Sequence, residues 1–181
     1  MAEKMGNEDQ IQAAGEWFHA SAPNHPGFVA HEIRRALASD DLGKAIEALR
    51  ATADRYPGSA YARAALDVTL IRADAHEARA DALCRHGEGQ EGEDRARAFW
   101  HAAQLAALDP SGAERAQTLY SEAASVATES GDAIVREAMG AALLSKRFAL
   151  VRDGGAVLWS RGASPEDRGS VACATYEVCR R

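Results

Sequence analysis

Small apolar side chains recur at helical spacing along this chain, in short segments that proline and glycine interrupt. Alanine pairs such as Ala64-Ala65 and Ala102-Ala103 stand in these segments, while aromatic residues make up only 6% of the sequence. Alanine is the best helix former, whereas strands favour the β-branched and aromatic residues that are scarce here. The pattern therefore predicts an all-α protein built from short helices.

The segment that follows Asp41 shows this pattern most clearly. Ser39, Asp40 and Asp41 supply side-chain oxygens that can cap a helix. Pro57-Gly58 ends the helix, because proline has no amide hydrogen and cannot sit in a helix interior. Between these signals six apolar side chains share one predicted helical face: Leu42, Ala45, Ile46, Leu49, Ala53 and Tyr56.

Boundary signals elsewhere predict further helices and turns. The expected turns and loops are a break at 21–27, a turn near residues 74–76, and a surface loop at 87–94 with three glycines and four acids. Ser111 and Glu114 have the spacing of a capping box, and Gly131 is expected to end a helix. A first helix is expected over 8–20 and a final one after Ser164, carrying Val171, Ala174, Thr175 and Val178.

The charge and the N-terminal sequence exclude several classes of function. The formal net charge is −6, so the long-range field of the protein repels nucleic acid and anionic membranes. The first ten residues are polar, and no run approaches the ~18 apolar residues of a membrane helix. Three scattered cysteines do not form a disulfide framework. We expect an acidic, cytoplasmic protein.

Short helix hairpins cannot bury their apolar faces alone and must stack on neighbours. Residues 41–49, followed by Tyr56-Pro57, resemble the second helix of the tetratricopeptide repeat, with a small side chain at Ala45 and a large apolar one at Leu49. A repeat of about 34 residues fits at 26–59.

A second placement at 97–130 brings Trp100 to the aromatic position of the first helix. Ala116, Tyr120 and Ala123 then take the small, aromatic and small positions of the second. The segments 60–93 and from 133 onward match less well, because Arg79 and Arg152 stand where small residues are expected.

The resemblance implies a domain organisation and a function. It predicts an N-terminal helix and linker over 1–25, and over 26–181 a domain of stacked antiparallel hairpins, an α-solenoid similar to the tetratricopeptide repeat. In that family the first helices line a concave groove that receives a peptide or helix of another protein. The placements put six candidate partner-binding residues in the groove: Arg34, Arg63, Asp67, His101, Gln104 and Arg136.

Alternatives to this interpretation stay open. The same stripes also fit the core of an irregular α-helical bundle. In place of a binding module, the chain could be a self-assembling structural protein that binds copies of itself, or a small helical enzyme or ligand-binding regulator. Active sites can be assembled from residues distant in sequence.

No motif in the sequence supports catalysis, a cofactor or a metal site. Gly87, Gly89 and Gly92 spell GxGxxG, but no strand precedes them and acidic neighbours would repel a pyrophosphate. Cys173 and Cys179 lie about 120° apart on a helix, so they cannot face one ion together. We therefore expect a protein that is not an enzyme.

Overall fold

The computed structural model describes residues 25–160 together with Ala13, Ala14, Trp17, Gly169, Cys173 and Tyr176. Every regular element in this part of the chain is a helix and none is a strand, so the predicted all-α class is confirmed. The chain divides into two compact units, with the boundary between Ala75 and His76.

The helix bounds follow the turns of the sequence. The first unit contains α1 (Pro26–Leu37), α2 (Leu42–Arg55) and α3 (Ala60–Arg72). The second contains α4 (His76–Glu88), α5 (Gly92–Ala107), α6 (Ala113–Val126), α7 (Gly131–Leu144) and α8 (Phe148–Ser160), with a 3-10 turn (Pro110–Gly112) before α6. No helix in the described ranges is long and apolar enough to cross a lipid bilayer.

In the first unit α2 packs against both α1 and α3. Asp41 caps α2 as predicted, accepting hydrogen bonds from the amides of Gly43 at 2.9 Å and Lys44 at 3.2 Å. Ser59 caps α3 through the amide of Ala62. The core contains these buried side chains: Val29, Ile33, Ala36, Ala45, Leu49, Thr52, Tyr56, Ala62, Leu66, Thr69 and Leu70.

The expected break at 21–27 is wrong at its end, because α1 already begins at Pro26. Proline suits the first helical position, where its missing amide hydrogen would have no partner. The Nδ1 atom of His25 accepts the amide of Gly27 at 3.1 Å and caps the helix. The prediction read the proline and the glycine as helix breakers, whereas they stand in the first turn.

In the second unit each helix packs against the next one along the chain. The stripe predicted for α5 is confirmed, with Phe99, Ala102, Ala103 and Ala106 all buried. Before this unit the chain turns at Asp74, whose φ of 53° is left-handed. The amide of Ala75 bonds the carbonyl of Leu70, as expected for a turn near 74–76.

The surface loop predicted at 87–94 is much shorter in the structure. Helix α4 runs to Glu88 and α5 begins at Gly92. Gly87 is buried inside α4, and a Cβ atom there would lie 3.0 Å from the Cβ of Ala98 and 3.3 Å from the ring of Phe99. This glycine therefore permits close packing of two helices and does not break one.

Two further predicted boundaries are wrong. The capping box of Ser111 and Glu114 does not form, because Asp109 caps the 3-10 turn instead, accepting the amide of Ser111 at 2.8 Å. That bond lowers the pKa of Asp109. Gly131 does not end α6, which stops at Val126; it is the first residue of α7 and is buried.

The predicted terminal helices fall largely outside the described residues. Ala13, Ala14 and Trp17 are helical and exposed within the first of them. Gly169, Cys173 and Tyr176 are helical and exposed within the last.

A carboxylate at the start of α5 reaches the connection between α6 and α7. Glu93 accepts the backbone amides of Thr128 at 3.0 Å and Glu129 at 3.1 Å. The Ser130 hydroxyl, close to this carboxylate but without a well-aligned hydrogen bond, and these amides lower the pKa of Glu93 to about 2. Glu93 thus supplies from another helix the cap that α7 lacks locally.

We expect the substitution Gly112→Ala to destabilise the fold. A Cβ atom there would overlap the carbonyl oxygen of Ala106, and overpacking against fixed backbone costs about 2 kcal/mol. Gly58→Ala is the control, since nothing lies within 4 Å of a Cβ atom at Gly58. Urea unfolding followed by circular dichroism measures both, and equal stability of the two variants would contradict the packing around Gly112.

We expect Glu93→Gln to lower stability in a way that depends on pH. The carboxylate has a pKa of about 2 in the fold against an ordinary 4.5, so its charge stabilises the fold above pH 4.5 and this contribution is lost as the pH falls toward 2. The difference in urea midpoint between wild type and Glu93→Gln should therefore shrink from pH 7 to pH 2. Glu91→Gln, two residues earlier, should show no such difference.

Candidate binding surfaces

A side-chain carboxylate joins three helices of the second unit. Glu137 on α7 accepts the indole N–H of Trp100 at 2.8 Å, the amide of Gln104 at 3.2 Å and the hydroxyl of Tyr120 at 3.0 Å. Trp100 and Gln104 lie on α5 and Tyr120 on α6. Burial, then the neighbouring carboxylate, raises the pKa of the Tyr120 phenol. We call these four residues the Glu137 cluster.

The three sequence-selected residues of the second unit lie on α5 and α7. Gln104 belongs to the Glu137 cluster. His101 is exposed and packs edge to face on Trp100, with ring centroids 6.4 Å apart. Arg136 is exposed and directly precedes Glu137. The structure therefore brings Gln104 beside α7, but the bond to Glu137 already occupies its amide.

The other three selected residues lie in the first unit. Arg34 on α1 is exposed, and its Nε donates to the carbonyl of Ala30 at 3.3 Å. Arg63 on α3 donates to the carbonyl of Pro57. Asp67 lies one helical turn after Arg63, and both side chains are half-buried.

The side of α3 that faces away from its core carries a second apolar stripe. Tyr61, Val68 and Ile71 are 56%, 56% and 51% exposed, and Ala64 is exposed between them. These positions are three, four and three residues apart, so they share one side of the helix. We call these four residues the outer stripe; Arg63 and Asp67 lie along one edge of it.

The outer stripe is unusual for a helix that is already buried on its other side. A surface helix normally carries polar residues opposite its core face, and one that is apolar all round is normally covered all round. Apolar surface residues scattered singly need no explanation, but a contiguous apolar patch marks an interaction site. The outer stripe is therefore a candidate binding surface.

Sequence reasoning missed the outer stripe. It selected the charged neighbours Arg63 and Asp67, and it correctly predicted the buried pattern through Ala62 and Leu66. The signal was nevertheless present, because Tyr61, Val68 and Ile71 also recur at helical spacing. A helix with two apolar sides gives two such patterns, and only the structure shows which side is covered.

An open groove of about 330 Å³ lies in the second unit, between α6 and α8 with α7 at its floor. Ala124, Ala138 and Gly154 keep it open because their side chains are small. The amide of Gln117 donates to the carbonyl of Ala138 at 3.0 Å and holds α6 against α7 at one wall. The remaining lining combines apolar and polar side chains, among them Val135, Met139, Leu150, Val157, Ser121, Ser125 and Asp153.

A smaller groove of about 260 Å³ lies between α1 and α2. Its main polar contact is the ion pair of Arg55 with Glu32, 2.7 Å long, and Glu32 also accepts the hydroxyl of Thr52 at 3.4 Å. Arg35 and Lys44 lie at its rim. The carboxylate of Glu32 is thus already bound by groups of the first unit.

The described residues include no group of three or more His, Cys, Asp or Glu side chains that could hold a metal ion. Cys84 is half-buried beside Arg115, and burial raises the pKa of its thiol. A raised pKa leaves less thiolate, the reactive form. Cys173 is exposed, and Cys179 lies outside the described residues.

Comparison with protein-family models, with curated proteins and with solved structures found no match for this chain.

We expect Glu137→Ala to destabilise the protein by about 2 kcal/mol, because the indole N–H of Trp100 and the hydroxyl of Tyr120 lose their acceptor. Glu114→Ala is the control: its side chain is 85% exposed and its ion pair with Arg147 is long, at 3.8 Å, so it should change stability little. Urea unfolding measures both. In a double-mutant cycle with Tyr120→Phe, additive effects would contradict the direct bond.

Proposed function

We propose that this chain is a protein-protein interaction module of stacked helix hairpins, similar to the tetratricopeptide repeat, and that the outer stripe binds an apolar helix face. The observation that carries the proposal is the exposure of Tyr61, Val68 and Ile71 on a helix whose other side is buried. A partner that covers this stripe would remove apolar surface from water, which is the main driving force of association.

The spacing of the helices supports the hairpin part of the proposal. Helices α1 and α3 begin at Pro26 and Ala60, 34 residues apart, and α2 and α4 begin at Leu42 and His76, also 34 residues apart. Helices α6 and α8 begin 35 residues apart. These distances are close to the repeat length of about 34 residues. Helix α5 departs from this spacing, since it begins early, at Gly92.

The outer stripe has the form that helix recognition uses. An amphipathic helix binds through apolar anchors at spacings of three, four and seven residues. Tyr61, Ala64 and Val68 present that spacing on a helix fixed by its buried side. Since the receptor is ordered before binding, little conformational entropy is lost on its side. We further propose that the protein acts in the cytoplasm, a location that its free cysteines Cys84 and Cys173 fit.

We expect Val68→Glu to abolish partner binding and to leave the fold intact, because residue 68 is 56% exposed and a charge at the centre of the stripe must be desolvated when the stripe is covered. The measurement is photo-crosslinking from a benzoyl-phenylalanine placed at position 71, in cells, with and without Val68→Glu. Crosslinked products should be lost in the variant.

Leu144→Glu is the matched control, since Leu144 is 87% exposed and lies outside the outer stripe. It should keep the crosslinks. Crosslinks that survive Val68→Glu, or that never form in the wild type, would contradict the proposal. Circular dichroism establishes that both variants are folded.

A further inference from the structure

The outer stripe matches itself when it is turned end for end. Tyr61 and Ile71 each lie five residues from Leu66, on either side of it, and Ala64 and Val68 each lie two residues from it. In an antiparallel pair of α3 helices crossing at the level of Leu66, Tyr61 therefore meets Ile71 of the other copy. Ala64 meets Val68, a small side chain opposite a larger one, as interdigitated packing requires.

The charges along the edge of the stripe match in the same arrangement. A two-fold axis perpendicular to both helices keeps the same edge of each stripe on the same side of the interface, so that edge faces its own copy. Arg63 precedes Leu66 by three residues and Asp67 follows it by one. The two-fold axis then places Arg63 only two residues, about 3 Å along the helix axis, from Asp67 of the other copy. Symmetry makes this contact twice.

We propose that a second copy of this chain is the partner of the outer stripe, bound through an antiparallel α3–α3 contact that two Arg63–Asp67 pairs align. The inference rests on the proposed function, because it names the partner of the same surface. Opposite charges at these positions favour the antiparallel register, since any shift along the helices separates them or brings like charges together.

The area of the stripe indicates how strong this association is. Half-exposed side chains of these sizes offer on the order of 200 to 300 Å² in each copy. A pair then buries about 400 to 600 Å², below the roughly 1,200 Å² of stable complexes. The dimer is therefore weak and reversible and forms at high protein concentration.

Sedimentation equilibrium between about 20 μM and 1 mM protein tests the inference. The wild type should rise above its monomer mass of 19.3 kDa as concentration increases, and Val68→Glu should stay monomeric while Leu144→Glu associates like the wild type. Arg63→Asp and Asp67→Arg should each weaken association at least about fivefold, because each places like charges opposite one another. The double variant should recover it, since the charges are exchanged and not removed.

A wild type that stays monomeric throughout the range overturns the inference, and so does a double variant as weak as the single ones. Crosslinking from position 71 separates this failure from failure of the proposed function. Crosslinks to residues near Tyr61 of a second copy support both. Crosslinks only to a different protein overturn the second copy as partner and keep the binding surface, and no crosslinks at all overturn both.

Discussion

The second unit depends on helices that approach closely through small side chains. Its buried cluster contains only three large side chains from α5 and α6, Phe99, Leu119 and Tyr120. Most of the remaining buried positions are alanines, at residues 80, 96, 102, 103, 106, 116 and 123. Because each alanine removes little apolar area from water, such a core gains less from burial than one of leucine and isoleucine. The close approach of the helices compensates in part, through dispersion contacts between backbones.

An alanine surface is also smooth, so it specifies the register of two helices weakly. Polar side chains supply what the alanines lack. Glu137 joins α7 to α5 and α6, Glu93 joins α5 to the connection before α7, and Arg115 on α6 pairs with Asp81 on α4. Hydrogen bonds to charged groups are directional and costly to leave unmade, so each fixes one alignment of its helices. The glycines act on the same contact, as Gly87 shows beside Ala98.

This division of roles explains how much the sequence could predict. Apolar spacing identified the helices and the buried face of α5, because periodicity reports burial directly. Boundaries failed where a distant contact decides them. Gly87 is helical because Ala98 and Phe99 need its space, and α7 begins at Gly131 because Glu93 caps it from another helix. Composition read Gly87 as a loop residue and Gly131 as a helix end, since the opposing helix is not visible in the local sequence.

The selection of binding residues failed for a related physical reason. Charged residues on first helices were expected to face a partner, yet Gln104 is bound to Glu137 and Arg63 to the carbonyl of Pro57. A long polar side chain on a helix surface finds partners within its own fold, so polarity alone does not mark a free surface. Exposed apolar side chains cannot be satisfied in that way, because no hydrogen bond compensates for their contact with water.

The contrast between α2 and α3 gives the outer stripe its meaning. In the same unit, the solvent side of α2 is polar, with Lys44, Glu47 and Asp54 exposed, whereas α3 exposes Tyr61, Val68 and Ile71. Both helices serve the same core, so the core does not require the apolar residues on the outer side of α3. Such residues favour aggregation when they stay uncovered. A partner that covers them offsets that cost, and the edge charges of Arg63 and Asp67 then limit which helix can do so.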